Sequence, residues 1–190
     1  QAFLWSPDSM SIAYLQLDQS RVPTFPIVDF VPVRNEVLWQ RYPKAGAPNA
    51  IVRLGVVGLE KNGTPGPERL VSFTPDDVYV LPQLGWTVDS RQVAFQHLNR
   101  AQNELDLRLL PVPSSPREPL GTPRTILSER SRTWLNTFGA PHFLKDGRRY
   151  AEGAAKIVWI DLATGRSTPL PESIAGPLQA LAAPRTDMPT

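Results

Sequence analysis

A five-residue pattern occurs three times along the chain and does most to fix its architecture. Trp5-Ser6-Pro7-Asp8-Ser9 returns as Trp86-Thr87-Val88-Asp89-Ser90 and, more loosely, as Phe143-Leu144-Lys145-Asp146-Gly147. Asp followed by Ser or Gly favours a tight turn, because the carboxylate accepts a bond from the backbone two residues on and both positions tolerate unusual dihedrals. A strand follows each turn: Ser11 to Leu17, Gln92 to Leu98, and Arg149-Tyr150 in the equivalent place. The first two alternate apolar with polar or small residues, as half-buried strands do. A turn-and-strand unit repeated at this scale marks a stacked β-sheet architecture, and the four-stranded blade of a propeller fits it. The aromatic residue ahead of each turn is expected to pack between neighbouring sheets.

The spacing of the copies carries as much information as their existence. Trp5 and Trp86 are 81 residues apart and Trp86 and Phe143 are 57 apart, so the first interval holds 24 additional residues. The surplus matches Val22 to Arg41, which has no aromatic-turn motif and reads as an arm inserted in the first blade. Phe25, Ile27, Phe30, Val37, Leu38 and Trp39 give that arm more apolar surface than a solvated loop carries, and such a patch points to a partner. The competing expectation is that the arm folds back on its own domain.

Further strands are expected over Ile51 to Leu59, Arg69 to Phe73, Val78 to Leu84, Leu105 to Val112, Arg124 to Leu127, Ile157 to Leu162 and Ser167 to Leu170. Turn-forming sequences lie between them, including Lys61 to Gly66 and Ala163-Thr164-Gly165. The 21 prolines, well above the usual share of ~5%, fall mostly between apolar runs and favour many short strands. The domain is thus expected to be all-β over residues 1–170, a partial propeller of three to four antiparallel blades forming an open arc. Residues 171–190 are expected to be a frayed tail or a short helix.

Composition excludes several functions. The 20 basic and 18 acidic residues nearly balance, and the nearest basic cluster, Arg124, Arg130 and Arg132, is broken by Glu129 and reads as a solvated blade edge. Nucleic-acid binding would need clustered cations with stacking aromatics. No apolar run is long enough for a helix to span a membrane. Without cysteine there is no thiolate nucleophile, disulfide or cysteine-ligated zinc. His97 and His142 lack a second ligand at metal spacing, no Gly-x-Ser-x-Gly elbow occurs, and Gly63 and Gly66 precede no helix that could cradle a phosphate. The residues themselves therefore describe a β-repeat module with no catalytic residue, no metal and no cofactor.

Longer runs carry a specific resemblance. Trp5 to Ser9, Ile12-Ala13-Tyr14, Val22-Pro23, Tyr42-Pro43-Lys44-Ala45-Gly46-Ala47-Pro48-Asn49 and Val52 to Val57 closely resemble the N-terminal β-propeller of the dipeptidyl peptidase IV family. Leu98 to Leu107, with its Asn99-Arg100-Ala101-Gln102-Asn103 core, then Ser131 to Asn136 and His142 to Gly147, continue it in the family's order. The resemblance covers roughly residues 3 to 150. After Gly147 it thins, because Arg148 to Ala155 leads directly into Lys156 to Asp161 without the family's usual acidic, Gly-Tyr-Arg-His-like run. Leu4 also replaces the first of a tryptophan pair common in relatives.

The resemblance implies an exported serine exopeptidase, periplasmic or extracellular, that removes Xaa-Pro or Xaa-Ala dipeptides from peptide N-termini. In that family the propeller gates an α/β-hydrolase domain and supplies acidic residues for the substrate's α-amino group. Those acidic residues are expected upstream of Gln1 and the Ser, Asp and His downstream of Thr190, so the peptide would be cut by a hydrolase domain outside this sequence. Within the sequence, Trp134-Leu135-Asn136-Thr137-Phe138 matches a loop from which an aromatic residue lines the extended substrate subsite, making Phe138 the candidate. A buried inter-blade role for Phe138 is the competing expectation. The arm matches a propeller extension that contributes to homodimer contacts. The alternative to a peptidase segment is a stand-alone, non-catalytic propeller-like binding scaffold, and a propeller of a translocation accessory protein is a more distant third.

Overall fold

In a computed structural model of the chain, residues 3–74, 78–137, 139, 141–143, 148–152, 157–162, 164 and 166–169 are described. The tail expected over 171–190 lies outside them. Every regular element among the described residues is a strand.

Thirteen of the strands form three antiparallel blades, of four, five and four strands. The first contains β1 (Phe3–Trp5), β2 (Ser11–Asp18), β5 (Ile51–Gly58) and β6 (Arg69–Ser72), paired in that order. The second has β7 (Tyr79–Val80) and β8 (Gly85–Trp86) sharing one edge, then β9 (Gln92–Leu98), β10 (Glu104–Pro111) and β11 (Arg124–Arg130). The third is β12 (His142–Phe143), β13 (Arg148–Glu152), β14 (Ile157–Asp161) and β15 (Ser167–Pro169). Each blade is an up-and-down meander, and among the described residues no strand pairs the first blade to the third. The propeller arc expected from the repeat is therefore present and open.

The first two repeat turns have the same wiring. In the first, the Ser6 hydroxyl donates to Asp8 Oδ1 at 2.6 Å, the same oxygen accepts from the Met10 amide at 3.0 Å, and Ser6 Oγ accepts from the Ser11 amide at 2.9 Å. In the second, Thr87, Asp89, Arg91 and Gln92 repeat these bonds at 2.6, 3.1 and 3.0 Å. Burial would raise the Asp8 carboxyl, but the bonds from Ser6, Met10 and Ser90 outweigh it and hold it below its ordinary value. The left-handed residue of each turn is Ser9 or Ser90, with φ of 60° and 59°. In the third copy, 144–147 lie outside the described residues.

The core lies between the blades. Ala13, Val52, Leu54 and Val56 of the first blade meet Trp86, Val93, Phe95 and Leu110 of the second. Ala94, Leu107, Leu109 and Ile126 on the second blade's other face meet Ile160 of the third, with Phe143 and Leu162 packed alongside. The middle blade is thus covered on both faces, and successive residues of β9 serve opposite interfaces. Trp86 is buried, and its indole N–H donates to the Leu4 carbonyl of the preceding blade at 3.0 Å. Trp5, at the same place in the first blade, is 51% exposed. The expectation that each motif aromatic packs between sheets therefore holds for Trp86 and fails for Trp5. The reason is that no blade among the described residues stands on that side.

Two further readings are corrected. Val78 to Leu84 is not one strand: pairing with β9 ends with the bond from the Leu81 amide to the Gln96 carbonyl at 3.1 Å and resumes at Gly85. Pro82 has no amide hydrogen to donate there, and the Leu84 amide turns back to the Pro82 carbonyl at 3.0 Å. Gly85 then permits a close approach, since a Cβ at that position would lie 2.7 Å from Pro141 Cγ.

Among the described residues the arm does not fold back on its domain. It is a separate hairpin of β3 (Thr24–Asp29) and β4 (Glu36–Arg41) that, among the described residues, pairs with no blade. Directly opposed residues share a face, so Phe25, Ile27 and Leu38 lie on one side and Pro26, Val28, Val37 and Trp39 on the other. Both sides carry exposed apolar side chains, and Phe30, Val31 and Val33 are exposed at the tip.

Candidate functional site

Strand alternation sorts the connections into two ends. The repeat turns and the 112–123 loop lie at one end; the arm, the Asn99–Asn103 turn and the 131–141 inter-blade loop lie at the other. The two sequence runs that most strongly carry the resemblance meet at this second end.

The Asn99–Asn103 turn is self-supporting. Asn99 Oδ1 accepts from the amides of Asn103 and Glu104 at 3.0 and 3.1 Å, and its Nδ2 donates to Asn103 Oδ1 at 2.8 Å. Gln102 has a left-handed backbone at φ 58°, and its amide closes the turn on the Asn99 carbonyl at 2.9 Å. The turn then fastens both neighbours. Arg100 donates to the Ala47 carbonyl at 2.6 Å, while Asn49 donates to the Tyr79 hydroxyl at 3.0 Å. These bonds secure the 42–50 segment, by which the arm returns to the first blade, against the second. On the other side, the Ser131 amide donates to the Asn103 carbonyl and the Leu135 amide to the Gln102 carbonyl, both at 3.0 Å.

The arm is anchored at its base. Val22 is buried, and Arg41 Nη1 donates to the Val22 carbonyl at 2.7 Å. Lys44 places its ammonium 3.9 Å from the Phe25 ring centroid, and Tyr42 lies 6.2 Å from that ring. Phe25 is thereby held at the base, whereas Ile27, Phe30, Val37, Leu38 and Trp39 extend beyond it with exposed side chains.

Phe138 lies outside the described residues. Its neighbours Thr137 and Gly139 are exposed, as is Trp134 in the same loop. Beneath the loop, Gln96 is 1% exposed and its Nε2 donates to the Gly139 carbonyl at 3.1 Å. Gln96 was not singled out from sequence, because a glutamine in an alternating strand reads as a solvent-facing residue. Its place between the second and third blades reverses that reading.

On the opposite side of β9, His97 stands across from Asp106 in the β9–β10 register, and its ring lies 5.5 Å from that of Phe73. Burial first, then the Arg108 charge, depress the His97 imidazole against a smaller opposing effect of Asp106. Arg108 also pairs with Asp106 at 2.8 Å. The bonds and charge of Arg108, helped by Ser128 and His97, outweigh burial and hold the Asp106 carboxyl low. This group is structural: it joins two strands of one blade.

At the other end, a cleft of about 660 Å³ lies between Leu59 to Thr64 and Ser114 to Arg117. Arg117 pairs with Glu60 at 2.8 Å across it, and Arg69 Nη1 donates to the Ser115 and Glu118 carbonyls. These contacts tie the first two blades together and present no nucleophile with an adjacent base. Among the described residues no three His, Asp or Glu side chains gather as metal ligands. No helix there is long and apolar enough to cross a membrane.

Comparison with known proteins gives consistent matches. A family model described as the dipeptidyl peptidase IV (DPP IV) N-terminal region matches residues 1–168. The probable dipeptidyl-aminopeptidase B of Phaeosphaeria nodorum is 34% identical over 120 residues, covering 57% of this chain and 13% of that protein. The inactive dipeptidyl peptidase 10 of Rattus norvegicus is 31% identical over 156 residues, covering 78% of this chain and 18% of its own. The crystal structure of Porphyromonas gingivalis dipeptidyl peptidase 4 matches with a TM-score of 0.68 at 22% identity, covering 90% of this chain and 24% of that one. The chain therefore spans less than a fifth of the length of these two curated relatives.

Proposed function

This chain belongs to the dipeptidyl peptidase IV family, as its N-terminal region, and on that premise we propose that it is a propeller segment of an exported serine dipeptidyl peptidase. The enzyme would remove Xaa-Pro or Xaa-Ala dipeptides from peptide N-termini. This segment gates and scaffolds, and the Ser, Asp and His that cut the peptide come from a hydrolase domain outside it. The observation that carries the reading is the meeting of the two family runs at one end of the arc. Arg100 holds the return segment of the arm, while Gln102 and Asn103 hold the loop that bears Phe138. The segment thus presents a candidate peptide-facing loop and a candidate assembly surface together.

In this reading the arm joins two copies of the enzyme. A two-stranded hairpin has marginal stability alone, and one with apolar side chains on both faces gains most from a partner that covers them. The second reading, a non-catalytic binding scaffold, draws on the match to the inactive dipeptidyl peptidase 10, which covers 78% of this chain.

The test is to incubate the full-length gene product with a peptide that has a free N-terminus and Pro at its second position, beside the same peptide acetylated. Release of the N-terminal dipeptide from the free peptide alone is expected. Binding of the free peptide without any release would favour the scaffold instead.

A further inference from the structure

Arg69 is a charged side chain enclosed where two blades meet. It opens β6, is 8% exposed, and lies against the 112–123 loop of the second blade. Its Nη1 donates to the Ser115 and Glu118 carbonyls at 3.3 and 3.0 Å, which uses both hydrogens of that nitrogen. Nε and Nη2 are buried and, among the described residues, have no hydrogen-bond partner. Burial depresses the guanidinium, and the Glu118 charge offsets this only in part. A buried cation with unbonded donors is unfavourable unless something bonds them.

The unbonded donors share one edge. Nε–H and the adjacent Nη2–H of a guanidinium run parallel, which is the fork that meets two oxygens of a carboxylate or phosphate. This edge lies near the inner end of the cleft of about 660 Å³ between the first two blades. A Cβ placed on Gly58 would be 3.5 Å from Nη2, 3.2 Å from Ser11 Oγ and 3.1 Å from Pro116 Cβ. Pro116 lines the cleft, and Ser11 and Gly58 adjoin Met10 and Leu59 of its wall. The 114–118 segment that carries Pro116 is held to the first blade by the Arg69 bonds and the Arg117–Glu60 pair, and among the described residues by no backbone bond. A small outward shift of this segment would open the fork to the cleft. Lys61 and Arg117 line the same cleft, and Glu60 is the one acidic side chain among its described lining residues.

We propose that this inter-blade cleft binds a small oxyanion, whose carboxylate or phosphate group sits on the Nε/Nη2 edge of Arg69 with Lys61 at the rim. The site stands apart from peptide cleavage and from the arm. It would add a ligand that ties the first blade to the second, so its occupancy should stabilise the fold.

The experiment titrates the full-length gene product with acetate and, separately, with inorganic phosphate at constant ionic strength, by calorimetry and by melting temperature. Saturable binding and a raised melting temperature are expected with at least one of the two. Tighter acetate binding would assign a carboxylate ligand, and tighter phosphate binding a phosphorylated one. Arg69→Lys keeps the charge without the fork, and Arg69→Met removes both; each should weaken binding at least about tenfold. Both variants also disturb the bonds to the 115 and 118 carbonyls, so Ser114→Trp supplies a control. Ser114 is exposed on the cleft, and the indole should fill the space and weaken binding equally, with the anion-free melting temperature near wild type.

Absence of saturable binding by the wild-type protein would overturn the proposal. Binding that survives in both Arg69→Met and Ser114→Trp would mean an adventitious ion only, held elsewhere, and would also reject it. A third contrary result is a lowered melting temperature in Glu118→Gln with no anion binding by wild type, which would assign the fork to the protein's own Glu118 carboxylate.

Discussion

Ser6 and Thr87 show how much of a repeat can be hidden in its spacer positions. The Asp of each motif and the left-handed residue after it were legible, because turn chemistry demands them. The hydroxyl two residues before the Asp was not, since the third copy has Leu144 there and the position looks free to vary. In the first two copies that hydroxyl both donates to the carboxylate and accepts from the following strand. Thr87→Val should therefore lower unfolding stability by about 1 kcal/mol in urea titration. Ser90→Gly should be close to neutral because relief of the left-handed backbone offsets loss of the bond from the Asp8 amide to Ser90 Oγ at 3.1 Å, and Ser90→Val should cost more. Equal stability of the Thr87→Val protein would remove the hydroxyl from the account. His97 gives a pH signature. Its folded value lies below its ordinary 6.5, so its contribution is fully present above that pH and is lost as pH falls through the folded value. Wild-type melting temperature should thus drop between pH 7.5 and about 5.5 by more than that of His97→Gln. Parallel pH profiles would show that burial does not depress this imidazole.

At the scale of elements, alternation located the blade strands well, and the uneven interval between motif copies located the arm. The break between β7 and β8 was missed because an apolar run containing one proline still looks continuous; only the pairing partner shows where the ladder stops. The arm's hairpin was equally hidden. Its residues are apolar at consecutive positions, which suits a strand buried on both faces, and sequence offers no cue that neither face is covered among the described residues. The buried Gln96 was missed for the opposite reason, since polar residues in alternating strands ordinarily face water. Leu38 and Trp39 point to opposite faces of the arm, so Leu38→Lys with Trp39→Lys places a charge on each. If the arm joins two copies as proposed, in the full-length gene product this pair should convert a dimer to a monomer in sedimentation equilibrium, with little change in melting temperature. An unchanged mass would place the dimer contact elsewhere or remove it.

At the scale of the whole molecule, the three blades explain one another. Trp86 is buried because the first blade precedes it, and its indole reaches the Leu4 carbonyl there. Trp5 and Phe3 remain half exposed on the first blade's outer face, the face that in the second blade packs against a neighbour. The arc holds an arm and a candidate peptide-facing loop at one end, fastened by the Asn99–Asn103 turn, and supplies no catalytic side chains of its own in this reading. The most direct measurement is a side-by-side assay of Xaa-Pro dipeptide release by the full-length gene product and by the 190-residue chain alone. The account predicts release by the full-length protein and none by the chain. Cleavage by the chain alone, or none by either, would contradict it.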